Sequence, residues 1–260
     1  MSPAKGDGLE LETLQLLGVG ALAGGLGALL GVGGGVVLVP GLIFLAGLPF
    51  QGAVATSLVC VVATSVAGSA VYLRHGAIDL PIAIELQAFT VLGAVAAGLS
   101  AAFVPVAPLY LSFSALLAFI AYRTWPRRPR QPHRESHAGS RGIAAGASVG
   151  TGLVSGLLGV GGGVLNVPIL HSLLGLAFDR AVATSVFMIG VTAGSAAAVY
   201  LIRGVVDVQV AAVTMLGTVA GASIAARTGR RVSQRSLKMG FSLLLAYVAY
   251  RMVLRGIAQF

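Results

Sequence analysis

Residues 29–40 read LLGVGGGVVLVP, and residues 157–168 read LLGVGGGVLNVP, the same phrase 128 positions further on. The register continues without a gap. Ala53-Val54-Ala55-Thr56-Ser57 returns as Ala181-Val182-Ala183-Thr184-Ser185, Val71-Tyr72-Leu73 as Val199-Tyr200-Leu201, and Asp79 as Asp207. Roughly half the positions from Leu29 to Asp79 are identical to their partners. Such a period is too long for a solenoid, whose repeats run about 20–50 residues. It suits a chain made of two homologous halves.

Composition decides the solvent around those halves. The chain is 57% hydrophobic, with a mean hydropathy of +0.93 and only 10% charged residues. A soluble domain carries about 25% charged residues, so this chain lacks the polar surface to cover a soluble core. Stretches of about 20 apolar residues recur, each long enough to cross a hydrocarbon layer of about 30 Å. The fold class is therefore an all-α integral membrane protein. The pattern predicts helices over 12–30, 52–73, 79–103 and 107–124, repeated over 142–158, 181–202, 207–227 and 236–255. Between them the glycine breaks Gly31–Gly35 and Gly159–Gly163 precede short apolar pieces at 36–47 and 164–175. At 1.5 Å per residue these pieces are too short to span. Each reads as the return leg of a re-entrant hairpin. The organisation is a first membrane repeat over 1–125, a basic linker over 126–141 and a second repeat over 142–260, about four helices to each half.

Orientation follows from the cations. The linker holds Arg127, Arg128, Arg130, Arg134 and Arg141, and the last inter-helix loop holds Arg227, Arg230, Arg231, Arg235 and Lys238. Placing both in the cytoplasm puts 13 of the 17 Lys and Arg inside, as the positive-inside rule requires. Each half then crosses an odd number of times, the two repeats are inverted in topology, and both termini lie outside the cytoplasm. The net charge of +9 is accounted for by these loops and by anionic lipid, with no nucleic acid called for. His133 and His137 belong to the linker and read as solvated rather than as metal ligands.

Few residues within the spans carry chemistry. Clustered glycine costs helix stability and frees the backbone to turn, and bare N–H groups at membrane depth are tolerated only where they line a cavity. The two breaks therefore read as anion-binding elements, with Gly33, Gly34 and Gly35 from one half and Gly161, Gly162 and Gly163 from the other. Close helix packing is the plainer reading of the same glycines. Thr56, Ser57, Thr184 and Ser185 open the next span in each half and can donate hydroxyl protons without a buried charge; bonding back to their own helices is the alternative. Asn166 stands where the repeat has Leu38, an amide that must find partners in an apolar setting; His171, opposite Ile43, is a weaker candidate. Asp79 and Asp207 read as helix N-caps. Glu85 is placed near an interface, and Arg74 and Arg203 snorkel or guard an anion path. Trp125, Tyr72, Tyr122, Tyr200 and Tyr250 fit an aromatic belt, and Cys60 is a small core residue. No Walker lysine, third nucleotide-loop glycine or His/Asp/Glu cluster is present, so neither a nucleotide site nor a hydrolase is expected. No cofactor is expected either.

In GLGALLGVGGGVVLVP (25–40), GLLGVGGGVLNVP (156–168) and the two AVATS segments, the chain resembles the sulfite exporter TauE/SafE family of small-anion permeases. The resemblance covers nearly the whole chain. It implies two homologous four-helix halves in the bacterial inner membrane that carry sulfite, sulfoacetate or a related sulfur-containing or organic anion. The expected function is secondary transport, chiefly export, by alternating access, with a proton or sodium ion as the possible coupling ion. The other readings kept open are a carrier or channel for another small organic anion, or a membrane subunit with no transport role.

Overall fold

The computed structural model describes residues 6–30, 33–125, 140–228 and 234–259. Most of the linker, the two residues Gly31 and Val32, and the loop arginines Arg230 and Arg231 lie outside them. Among the described residues every regular element is helical. The first half is α1 (Gly6–Leu30), α2 (Gly35–Phe44), α3 (Phe50–Arg74), α4 (Leu80–Ser100) and α5 (Val106–Thr124). The second is α6 (Ser140–Leu158), α7 (Gly163–Pro168), running on as a wide π-turn over Ile169–Leu173, then α8 (Phe178–Ile202), α9 (Val208–Thr228) and α10 (Gln234–Ile257). Six of these are long and apolar enough to cross a membrane. Large apolar side chains such as Val66, Ile84, Leu92, Leu216 and Leu243 stand exposed along them, as a lipid-facing surface requires. The two short helices fall where the glycine breaks predict them.

The halves are interleaved rather than side by side. α1 packs along α9 and α4 along α6, in each case parallel: Leu17 meets Gly217 and Ala21 meets Gly221, while Thr90 meets Gly152 and Ala97 meets Gly156. These contacts map onto each other through the repeat. Gly24 lies on the backbone of Thr218 as Gly152 lies on Thr90, and Gly221 lies on Ala21 as Gly93 lies on Val149. At each of these four glycines a Cβ would overlap a carbonyl of the facing helix. The glycines let the backbones touch, which is how membrane helices gain packing energy without a hydrophobic drive.

Repeat-related helices also meet each other, and they meet antiparallel. Along α3 and α8, Val62 faces Gly194, Ser65 faces Gly190 and Gly68 faces Val186, and the Ser65 hydroxyl donates to the Val186 carbonyl. Along α5 and α10, Tyr110 meets Gly256 and the Ser242 hydroxyl donates to the Ala121 carbonyl.

Asp79 and Asp207 cap α4 and α9, their Oδ1 atoms accepting from Ile82 N at 3.4 Å and Val210 N at 3.0 Å. Tyr200 departs from the expected aromatic belt. It is fully buried, and its hydroxyl donates to the Gly156 carbonyl at 2.9 Å. Near a span end a tyrosine can turn inward as readily as toward the headgroups when a bare carbonyl is within reach, and Gly156 leaves one open. Trp125, Tyr122 and Tyr250 are exposed.

Candidate functional site

The two glycine breaks meet at the centre of the α3–α8 crossing. Gly33 and Gly34 have φ of +83° and +80°, and their counterparts Gly161 and Gly162 have +78° and +77°. A left-handed backbone of this kind excludes most L side chains. The Cβ positions of both Gly33 and Gly161 point at the same pair, Val61 and Ile189, themselves repeat partners and both buried. Gly35 lies against the Gly159 carbonyl with no room for a side chain. The predicted glycines are thus brought together, in a closed arrangement with an apolar pair between them. The Gly34 carbonyl then accepts from Val37 N and Leu38 N, and the Gly162 carbonyl from Leu165 N and Asn166 N, which starts α2 and α7.

Of the AVATS hydroxyls, the two serines reach the glycine turns and the two threonines do not bond to them. Ser57 donates to the Gly159 carbonyl at 3.0 Å and Ser185 to the Gly163 carbonyl at 3.4 Å. Thr184 Oγ1 accepts from Asp79 N at 2.9 Å, whereas the equally buried Thr56 Oγ1 has no partner among the described residues. Asn166 is 1% exposed, and neither its Nδ2 nor its Oδ1 has a hydrogen-bond partner among the described residues. His171 is occupied structurally, with Nδ1 2.7 Å from the Leu176 carbonyl and its ring edge-on to Phe178.

Reading the sequence alone missed a polar cluster between α4 and α8. Gln87 Nε2 donates to Thr90 Oγ1 and to Thr192 Oγ1, each at 3.0 Å, and Thr192 donates to Thr90 at 3.1 Å. Gln87 Oε1 is buried without a partner among the described residues. The signal that singled out Asn166 was available here as well: Gln87 is an amide in an apolar span whose repeat partner is Met215.

Charged groups collect where α4, α6 and α8 begin. Arg180 pairs with Asp79 at 3.3 Å and Arg141 with Glu85 at 4.0 Å. Glu85 is half exposed, in keeping with an interfacial position. Arg203, at the opposite end of α8, donates to the Gly98 carbonyl at 2.7 Å, and Arg74 is exposed. Among the described residues no group of three His, Cys, Asp or Glu is placed to hold a metal. A separate cavity of about 460 Å³ lies between α1, α2 and α10. Its walls are apolar apart from Tyr247 and Arg251, whose guanidinium lies over the Phe44 ring and donates to the Tyr247 hydroxyl.

This arrangement of duplicated glycine turns, AVATS helices and apolar spans coincides with a family profile. Residues 16–252 match the family described as Sulfite exporter TauE/SafE. The chain belongs to that family. A Bacillus subtilis (strain 168) relative named "Probable membrane transporter protein YunE" is 27% identical over 93% of this chain and 97% of its own length. A Xylella fastidiosa (strain 9a5c) relative named "Probable membrane transporter protein" is 26% identical over 94% of this chain and 95% of its own. No solved structure matches. Family membership makes the chain a multi-pass membrane transporter rather than an enzyme, in contact with the bilayer and a small substrate.

Proposed function

We propose that this chain is a secondary transporter, and chiefly an exporter, of a small sulfur-containing anion such as sulfite, sulfoacetate or another organosulfonate, working by alternating access in the bacterial inner membrane. The observation that carries the reading is the convergence of Gly33 and Gly161 on Val61 and Ile189. Two equivalent backbone turns sit on one pseudo-symmetry axis, where rocking one half against the other exchanges inside and outside access. The antiparallel packing of α3 on α8 and of α5 on α10 supports inverted halves, 1–125 and 142–260, because a two-fold along the membrane normal would make those pairs parallel. The Arg180–Asp79 and Arg141–Glu85 pairs bring the starts of α4, α6 and α8 to one end. This agrees with a cytoplasmic linker over 126–141 and both termini in the periplasm.

In this reading the anion meets the peptide groups of Gly33–Gly35 and Gly161–Gly163 when the centre opens; Ser57, Thr184 and Ser185 exchange their internal bonds for bonds to it, and Thr56 and Asn166, which hold no bond among the described residues, gain one. With no nucleotide motif in the chain, the driving force is an ion gradient, of protons or sodium, or the gradient of the anion itself. Purified protein in liposomes tests this. Labelled sulfite or sulfoacetate should accumulate against its gradient when a proton or sodium gradient is imposed. Simple equilibration would point to a channel, and no flux of any sulfur oxyanion or organosulfonate would overturn the substrate assignment.

A further inference from the structure

The two halves repeat the order of their helices but differ in polarity, and most of the difference falls in one four-helix bundle; the other holds Thr214, opposite Leu86, as a buried hydroxyl without a partner among the described residues. α4, α6, α7 with its π-turn, and α8 close on an apolar cluster that includes Ala83, Leu86, Ala144, Leu170 and Met188. Residues four apart on a helix share a face one turn away. One turn deeper from this cluster stand Gln87, Thr90, Ser148, Asn166 and Thr192, and all five are polar. The direction agrees on every helix: deeper is later in α4, α6 and α8, which run parallel, and earlier in α7, which returns. Thr90, Ser148 and Thr192 fall near the middle of their helices, so the layer lies at half depth. The repeat counterparts in the other bundle are Met215, Thr218, Gly20, Leu38 and Thr64. There the amides have become apolar and the serine has become glycine.

The hydrogen bonds of this layer are incomplete in a definite way. Thr90 gives its proton to the Gln87 carbonyl and Thr192 gives its proton to Thr90. Both hydroxyls can then only accept from Gln87, which turns its NH₂ toward them and leaves Oε1 free. Among the described residues Asn166 has no partner at either end, and the fully buried Ser148 hydroxyl has none, nor has Ser155 beside Gly162. Such groups are costly within a bilayer unless something binds them. The free donors are one NH₂ and two hydroxyls, and the free amide acceptors are two. A bare polyanion satisfies the donors but sets its oxygens against Gln87 Oε1 and Asn166 Oδ1.

We infer that the ligand sits in the α4–α6–α7–α8 bundle alone, held by Gln87, Ser148 and Asn166, and that it is a singly charged oxyanion bearing one O–H or N–H of its own. This rests on the anion-transport reading for the class of substrate, and it moves the place of binding from the shared centre at Gly33–Gly35 and Gly161–Gly163 into one bundle. Leu86, Leu170 and Met188 then form the closed layer between the ligand and the charged mouth at Arg180 and Arg141.

Ligand-induced thermal shifts and calorimetry on purified protein test it with 2-hydroxyethanesulfonate, methanesulfonate and sulfate as probes. The wild type should bind the hydroxy-sulfonate at least about tenfold more tightly than either of the others, roughly the value of one hydrogen bond. Gln87→Met and Asn166→Leu install the residues the repeat already accommodates, so they should fold and lose that preference. Thr90→Val should weaken binding, and Thr218→Val in the other bundle should not. Equal binding of hydroxy- and methanesulfonate overturns the donor requirement. Wild-type affinity in Gln87→Met and Asn166→Leu, or equal losses in Thr90→Val and Thr218→Val, overturns the one-sided site while leaving anion transport standing. Binding of none of the probes, together with no anion flux in liposomes, overturns both readings.

Discussion

The Ser57 hydroxyl donates to the Gly159 carbonyl at 3.0 Å, tying the AVATS helix of the first half to the glycine turn of the second, 102 residues away. Its repeat partner Ser185 reaches the Gly163 carbonyl within its own half, at 3.4 Å. Ser57→Ala should therefore cost about 1–2 kcal/mol, because it strands a buried carbonyl. Ser185→Ala should cost less. Thermal unfolding in detergent ranks the two; equal shifts would mean that the cross-half bond contributes nothing of its own.

Glycines of α6 should separate sharply by face. Gly146 and Gly150 have open space where a Cβ would stand, whereas Gly152 lies on the Thr90 carbonyl. Gly146→Ala and Gly150→Ala should be neutral or stabilise by up to about 1 kcal/mol, through helix propensity. Gly152→Ala should destabilise by at least about 2 kcal/mol, since the facing backbone has to move. The same ranking should appear in expression levels, and a stable Gly152→Ala would refute the parallel packing of α4 on α6.

Asp79 has two roles and Arg180 one. The carboxylate caps α4 as well as pairing with Arg180, whose side chain is 53% exposed. Exposed ion pairs contribute about 0–1 kcal/mol, and a lost N-cap costs about 0.5–2 kcal/mol. Asp79→Ala should thus lower stability more than Arg180→Gln, and Asp207→Ala should cost about as much as a lost cap alone. A denaturation series on the three variants checks the order.

Orientation can be read in spheroplasts with a sealed inner membrane. Single cysteines at Ser2 and at Ser136, introduced with Cys60→Ala, should differ toward a membrane-impermeant thiol reagent added to spheroplasts. Label is expected at position 2 and not at position 136. The reverse pattern would invert the topology, and label at both would refute it.

The repeat, the hydrophobic content and the glycine breaks determined most of the fold before any coordinate. Helix boundaries such as Phe50–Arg74 and Phe178–Ile202 follow the apolar runs within about three residues, because in lipid a backbone has little choice but to satisfy its own bonds along a helix. The need for short return legs after Gly35 and Gly163 was equally legible, since glycine clusters and lengths of about 12 residues are local properties. Asn166 stood out by comparison with Leu38, and Gln87 against Met215 carried the same signal. Only the tertiary structure decided which residues meet. It brought α1 onto α9 rather than onto α4, aimed Gly33 and Gly161 at Val61 and Ile189, and turned Tyr200 inward to Gly156. It also gathered Gln87, Thr90 and Thr192 into one cluster. Composition states how much a helix must bury. Which neighbour buries it depends on shape, on where a missing Cβ lets two backbones touch, and on which carbonyl is left open to a distant hydroxyl, and those are properties of pairs of helices rather than of either sequence.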